Sequence, residues 1–203
     1  MIRILRIINK NPLISVFTGL IISVVPFGNP SIVSATNADT PEDSVSAHAK
    51  RAAPITLKEA KPEDRDQYEG FKVHPNQEDY LDLEQIPEVF EANTLKGLFG
   101  AYDKEDSLVG LAYITKTRQG FAIEELAIDK QFQGQGYGKT FLAELMKQLL
   151  SEQENATVEA EIDIKNEPSQ GLFKSHGFKA QGDPYYDEED NDFYQLWSKP
   201  SVE

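Results

Sequence analysis

The sequence predicts one mixed α/β domain over residues 54–200, behind an N-terminal segment of different character. Three observations carry this. Apolar residues alternate with polar ones in several short stretches separated by turn residues, as in half-buried strands. Residues 138–150 instead place Phe141, Leu142, Leu145, Met146, Leu149 and Leu150 at the i, i+3/i+4 spacing of an amphipathic helix. The two periods interleave along the chain, which favours helices packed on a single mixed sheet.

Taken in order, Ile55-Thr56-Leu57 reads as a short strand. Pro62, Glu63 and Asp64 suit a helix start, and that helix is expected to run to about Lys72. Residues 76–95 read as helical in pieces, broken near Pro87. Residues 98–102 and 108–115 are two strands around the turn 103–106. Residues 121–128 form a third long strand and lead to the helix over 138–150. In 157–164, Val158, Ala160, Ile162 and Ile164 are expected on one face, and Glu159, Glu161 and Asp163 on the other. Asn166 is a helix cap, with Pro168 tolerated in the first turn and Gly177 at the end. Residues 185–198 read as a closing hairpin around the acidic turn 187–192.

The first 35 residues have their own logic. Arg3, Arg6 and Lys10 precede an almost wholly apolar run over 13–27, and Val33-Ser34-Ala35 supplies small residues for cleavage. This is the pattern of a secretory signal peptide, and it predicts export. The alternative is an uncleaved anchor with the domain in the cytoplasm; membrane contact is expected only through this segment. Residues 36–53 are polar and small and read as a flexible linker.

Composition excludes several chemistries. The chain has no cysteine, so disulfides, thiolate metal sites and a cysteine nucleophile are out. His48, His74 and His176 are scattered without metal-ligand spacing, and no metal is expected. The formal net charge is −14. Setting Arg3, Arg6 and Lys10 apart from the 20 basic side chains leaves 17 against 34 acidic ones. Such a surface repels a phosphate backbone, so no nucleic-acid partner is expected. It suits cationic ligands, although solubility alone also explains it.

The most informative stretch is 124–140, EELAIDKQFQGQGYGKT. A strand enters a loop with Gly134, Gly136 and Gly138, and the loop opens a helix. Glycines allow a ligand close to the backbone, and free N–H groups at a helix N-terminus attract anions. A nucleotide P-loop needs four residues between its first glycine and Gly-Lys-Ser/Thr; here Gly134 and Gly138 have three between them. The dinucleotide pattern fails too, because Gly136 and Gly138 are too close.

Gln133-Gly134-Gln135-Gly136-Tyr137-Gly138 resembles the Arg/Gln-x-x-Gly-x-Gly/Ala motif of the GNAT N-acetyltransferases. A second block, from Asn166 through Ser169, Leu172 and Phe173 to Gly177-Phe178, is similar to the family's Asn-x-x-Ala-x-x-Leu-Tyr-x-x-x-Gly-Phe. Short stretches at 72–80 and 128–139 look most like the diamine and polyamine acetyltransferases. The resemblance implies the GNAT acyl-CoA N-acyltransferase fold, acetyl-CoA as cosubstrate without a metal, and direct transfer to a primary amine. The expected acceptor is a small cationic amine; a protein lysine or N-terminal amine, or a catalytically weak CoA-binding module, are the alternatives. It leaves room for a homodimer.

The resemblance also implies roles. Leu126, Ala127 and Ile128 would contact the pantetheine arm and oxyanion through their backbones. Gln133, Gly134, Gln135, Gly136, Tyr137 and Gly138, with Lys139 and Thr140, would hold the pyrophosphate. Asn166 would touch the pantetheine or position a water. Glu124 is the expected base and Glu125 the fallback, on the argument that adjacent strand residues face opposite sides. Phe173 belongs to the cofactor-contacting set but departs from the family's tyrosine and has no proton to give. Tyr137, Tyr185, Tyr186 and Tyr194 are candidates to replace it. Trp197 and Tyr194 are expected in the core, and His176 at a surface helix end. Acetyl-CoA is made and kept in the cytosol, which sits awkwardly with export.

Overall fold

The computed structural model describes residues 54–80, 86–188 and 191–200. The expected signal segment and linker lie outside the described residues. Seven strands form one sheet: β1 (Thr56–Glu59), β2 (Leu98–Tyr102), β3 (Leu108–Lys116), β4 (Gly120–Ile128), β5 (Thr157–Asp163), β6 (Lys179–Asp187) and β7 (Asp192–Pro200). Among the described residues, four α-helices accompany them: α1 (Arg65–Glu69), α2 (Ile86–Glu91), α3 (Tyr137–Glu152) and α4 (Glu167–Ser175). The spatial order is β1-β2-β3-β4-β5-β7-β6. Every neighbouring pair is antiparallel except β4 and β5, which run parallel with α3 as the crossover between them.

The sheet is covered on both faces over its first half. Phe141, Leu142, Leu145 and Leu149 of α3 pack with Phe121 and Ile123 of β4 and with Val158, Ala160 and Ile162 of β5. Tyr68 of α1 and Phe90 of α2 pack with Leu111 of β3 and Ala127 of β4 on the second core. Every residue of β2 is buried, so this strand is a continuous apolar run without alternation. Trp197 joins the α3 core as expected.

Three local expectations are corrected. The first helix stops at Gly70, short of Lys72, because the Lys72 N–H turns away to bond the Asp129 carboxylate at 3.0 Å. Residues 76–95 are helical in pieces, as expected, with a 3-10 turn at Pro75–Tyr80 and α2 from Ile86; residues 81–85, before Pro87, lie outside the described residues. Ile164 is 40% exposed, and Asp163 is buried at 8%. The strand ends there because Asp163 accepts the Lys165 N–H on its side chain at 2.6 Å and the Asn166 N–H on its carbonyl at 2.9 Å. Tyr194 is half-buried at a cavity wall and does not belong to either core.

Glycine at 110 lets α3 close onto the sheet. A Cβ there would lie 2.9 Å from the Ala127 carbonyl oxygen and 2.9 Å from the Phe141 ring. At Gly138 the nearest atoms to a new Cβ are 3.7 Å away, on Ile128 and Leu172. Gly110→Ala is therefore expected to cost about 1–3 kcal/mol through overpacking. Gly138→Ala is expected to leave stability the same or raise it by up to about 1 kcal/mol, as alanine favours a helix. Urea denaturation of the two variants checks both outcomes.

Candidate active site

β4 and β5 share a ladder only at one end. Gly120, Phe121 and Ala122 pair with Thr157, Val158 and Glu159, and the register stops there. Beyond this point the strands diverge. Gly120 permits the tight end, since a Cβ on it would lie 2.3 Å from the Thr157 carbonyl oxygen. The open end faces α4, whose first turn is capped by the Asn166 side chain accepting the Ser169 N–H at 3.2 Å. Backbone edges that a neighbouring strand would have used thus line a gap, and such edges bind extended amide-bearing ligands.

A groove of about 540 Å³ follows the gap toward the start of α3. Leu126, Ala127, Ile128, Gln133, Gly134, Gly136, Tyr137, Gly138, Lys139, Asn166 and Leu172 are among its lining residues. The volume lies within the usual range for a ligand cleft, about 300–1,000 Å³. Gly134 and Gly136 adopt φ of +70° and +88°, the left-handed region that suits glycine. Gly136 is also the N-cap residue of α3, so the loop delivers free N–H groups to the groove. The expected pyrophosphate-holding residues are thus brought together, apart from Gln135 and Thr140, which stand outside the groove lining. Gln135 donates to the Gln131 carbonyl at 2.9 Å. The Thr140 N–H bonds back to the Gly136 carbonyl within the first turn of α3.

The loop is braced by groups that sequence reasoning missed. Gln133 donates to the Ile128 carbonyl at 2.8 Å and to Gln77 at 2.7 Å. The Asp129 carboxylate is buried and accepts the Lys72 and Gln131 N–H groups at 3.0 and 2.9 Å. An aspartate at a strand end before a glycine loop is itself a turn signal that the sequence carried. His176 is more than a helix end. Its ring nitrogens lie 2.8 Å from the Leu172 carbonyl and 2.9 Å from the Lys139 carbonyl, tying α4 to the start of α3.

A second, smaller cavity of about 70 Å³ adjoins the groove on the acidic side. Glu124, Glu125, Glu161 and Asp163 line it, with Tyr80, Tyr194 and Phe173. Both glutamates reach it because β4 carries a bulge. Ile123 pairs with Ile114 and Glu125 with Tyr113, leaving Glu124 as the extra residue. The expectation that Glu124 and Glu125 face opposite sides is therefore corrected: an inserted residue breaks the alternation. Glu124 accepts a hydrogen bond from Thr115 at 2.6 Å. Its charge also helps raise the Tyr113 pKa, although burial is the larger cause. The Tyr185 phenol is raised too, first by burial and then by its bond to Glu161. Glu159, beside the cavity, is raised by burial and by the Glu161 charge. Phe173 is buried and meets Phe178 edge-on at 4.9 Å. Among the described residues, no group of three or more metal-ligating side chains forms.

Known proteins resemble this chain in sequence or in fold. A ribosomal protein bS18-alanine N-acetyltransferase of Bacillus subtilis (strain 168), so named provisionally, is 27% identical over 97 residues, covering 47% of this chain and 64% of that protein. The chain therefore matches less than two thirds of that curated relative's length. Among solved structures, a GNAT-family acetyltransferase from Bacillus anthracis superposes with a TM-score of 0.63 at 14% identity, over 75% of this chain and 98% of that one. The spermidine N-acetyltransferase from Vibrio cholerae, in complex with CoA and spermine, gives 0.58 at 13% identity, over 72% and 95%. The ribosomal-protein-S18-alanine N-acetyltransferase from Escherichia coli gives 0.55 at 17%, over 74% and 96%. These likenesses are of fold. The model of the acetyltransferase (GNAT) family matches residues 57–178, more than half of the sequence, and the chain belongs to that family.

Proposed function

We propose that this protein transfers the acetyl group of acetyl-CoA to a small cationic primary amine, by direct transfer with both substrates bound. The observation that carries the reading is the acidic cavity of Glu124, Glu125, Glu161 and Asp163 opening onto the groove. Carboxylates around a small space favour an ammonium head group. The groove residues fit acetyl-CoA: left-handed glycines and a helix N-terminus for the pyrophosphate, and free strand edges for the amide-bearing arm. Acetyl-CoA would supply an activated acetyl group.

The chain's own groups have separable tasks. Glu124 takes the proton that an ammonium must lose before it can attack. Glu125 and Glu161 supply charge that holds the amine. The backbone N–H groups of Leu126 and Ile128, which alternate away from β3, face developing negative charge on the acyl oxygen, whereas Ala127, expected to join them, turns its N–H to Leu111 of β3. Gln133, with Gln77, keeps the loop in its binding shape. Acetylation of a protein N-terminus is a second reading, favoured by the bS18-alanine acetyltransferase relative. Export through the N-terminal segment is part of the proposal; its check is the molecular weight and location of the mature chain after expression with residues 1–35 present.

The deciding assay is thiol release by the full chain from acetyl-CoA. The panel holds spermidine, putrescine, an aminoglycoside, a lysine peptide and a peptide with N-terminal alanine. Turnover is expected on the small polycations, and preference for the alanine peptide would favour the second reading. Glu124→Gln is expected to lower kcat about 100-fold, within the usual contribution of a general base. Glu125→Gln is expected to raise KM for the amine several-fold with a smaller effect on kcat. Gln133→Ala is expected to weaken CoA binding about tenfold by calorimetry, since a lost hydrogen bond to a structured loop costs about 0.5–1.5 kcal/mol.

A further inference from the structure

Four residues line both cavities: Tyr80, Leu126, Asn166 and Ser169. If the thioester enters by the groove and the amine by the acidic cavity, their reacting atoms meet at this shared rim. Leu126 has no proton to move. Asn166 is occupied as the cap of α4. The rim therefore offers two hydroxyls, those of Tyr80 and Ser169.

A departing thiolate takes its proton best from an acid of similar strength. A phenol, near pKa 10, stands about 1.5 units from a thiol near 8.5; an aliphatic hydroxyl is a far weaker acid. The other aromatic candidates are misplaced. Phe173 has no proton and is packed on Phe178. Tyr137 lines the groove alone, edge-on to Phe132 at 5.7 Å. Tyr194 lines the acidic cavity alone, and Tyr185 and Tyr186 line neither.

We infer that Tyr80, on the 3-10 turn Pro75–Tyr80, is the catalytic residue that protonates the leaving sulfur. The inference rests on the acetyltransferase reading above. In the step, Glu124 takes one proton from the ammonium. The nitrogen–carbon bond forms, and the carbon–sulfur bond breaks with its electron pair left on sulfur. Tyr80 Oη gives its proton to that sulfur and is reprotonated from water, which takes up the second amine proton. One proton is released per acetyl group transferred. Lys165 lies within electrostatic reach of the phenol. Its pKa is raised chiefly by Asp192, with Asp163 and Tyr80 contributing. The carboxylates of Asp163, Glu124, Glu125 and Glu161 stand around the same cavity.

The test needs no amine. CoA is bound to the full chain, and its thiol is titrated through the ultraviolet absorption of the thiolate. A phenol donating to sulfur stabilises the thiolate, so the bound thiol should titrate about one unit below free CoA. Tyr80→Phe should return the midpoint to the free value with CoA affinity within about threefold and an unchanged melting temperature. Ser169→Ala should keep the wild-type midpoint. With an accepted amine, Tyr80→Phe should lower kcat about 30-fold at constant KM for acetyl-CoA. Equal midpoints in wild type and Tyr80→Phe, or a shift that follows Ser169→Ala instead, would overturn the assignment. Failure of CoA to bind would overturn it together with the acetyltransferase reading. A Tyr80-dependent midpoint without turnover on any amine would support Tyr80 and count against the proposed acceptor alone.

Discussion

The separation of β4 from β5 is the constraint on which the rest of the site depends. Two parallel strands paired along their full length would consume their facing N–H and C=O groups. Here the pairing ends after Ala122 and Glu159. The closed end is tight because Gly120 lets β4 approach Thr157 without a side chain between them. The open end is propped by α4, whose Phe173 is buried in the α3 core while its first turn faces the gap. Neither cause suffices alone. A uniformly tight junction would have no groove, and an unsupported gap would leave apolar side chains of both strands in water.

The two cavities answer opposite electrostatic problems within a short distance. The protein as a whole is acidic, at −14, and its long-range field disfavours an anionic cosubstrate. That field is screened over about 8–10 Å at physiological salt. Short-range donors therefore decide: the backbone N–H groups around Gly134 and Gly136, and the start of α3, offer anion contacts without requiring basic side chains. The acidic cavity works the other way, adding local carboxylates to a background of the same sign. On the proposed reading a cationic acceptor gains from both scales, which would make its capture more sensitive to ionic strength than loop binding.

Much of this was legible in the sequence because it is local. The α3 stripe is written at helical period, and Phe141, Leu142, Leu145 and Leu149 are all buried as the spacing requires. The glycine loop and the Asn166 cap depend on neighbours within a few residues. What escaped depends on partners distant in sequence. The bulge at Glu124 is set by the register against Tyr113 and Ile114, so a strand read alone gives the wrong parity for the two glutamates. Ile164 looked like a core residue by alternation, but Asp163 folds its carboxylate onto the Lys165 N–H and ends the strand one residue earlier. Asp129 and Gln77 brace a loop from residues more than fifty positions apart.

The same distinction explains why Phe173 misleads as a sequence signal. By motif, its missing hydroxyl reads as lost chemistry. In the fold, Phe173 is buried edge-on against Phe178 in the α3 core and also borders the acidic cavity. A phenol there would have to place its hydroxyl at that cavity wall with a partner, since burying it unpaired costs about 1–3 kcal/mol. The benzyl ring removes that cost and keeps the prop beneath the diverging strands. On the proposed assignment the proton comes instead from the segment after α1, where Lys72 and Gln77 reach the bracing groups of the loop and Tyr80 lines both cavities. On that assignment, the departure at Phe173 is coupled to the segment 72–80, which lies outside both the glycine-loop block and the Asn166 block.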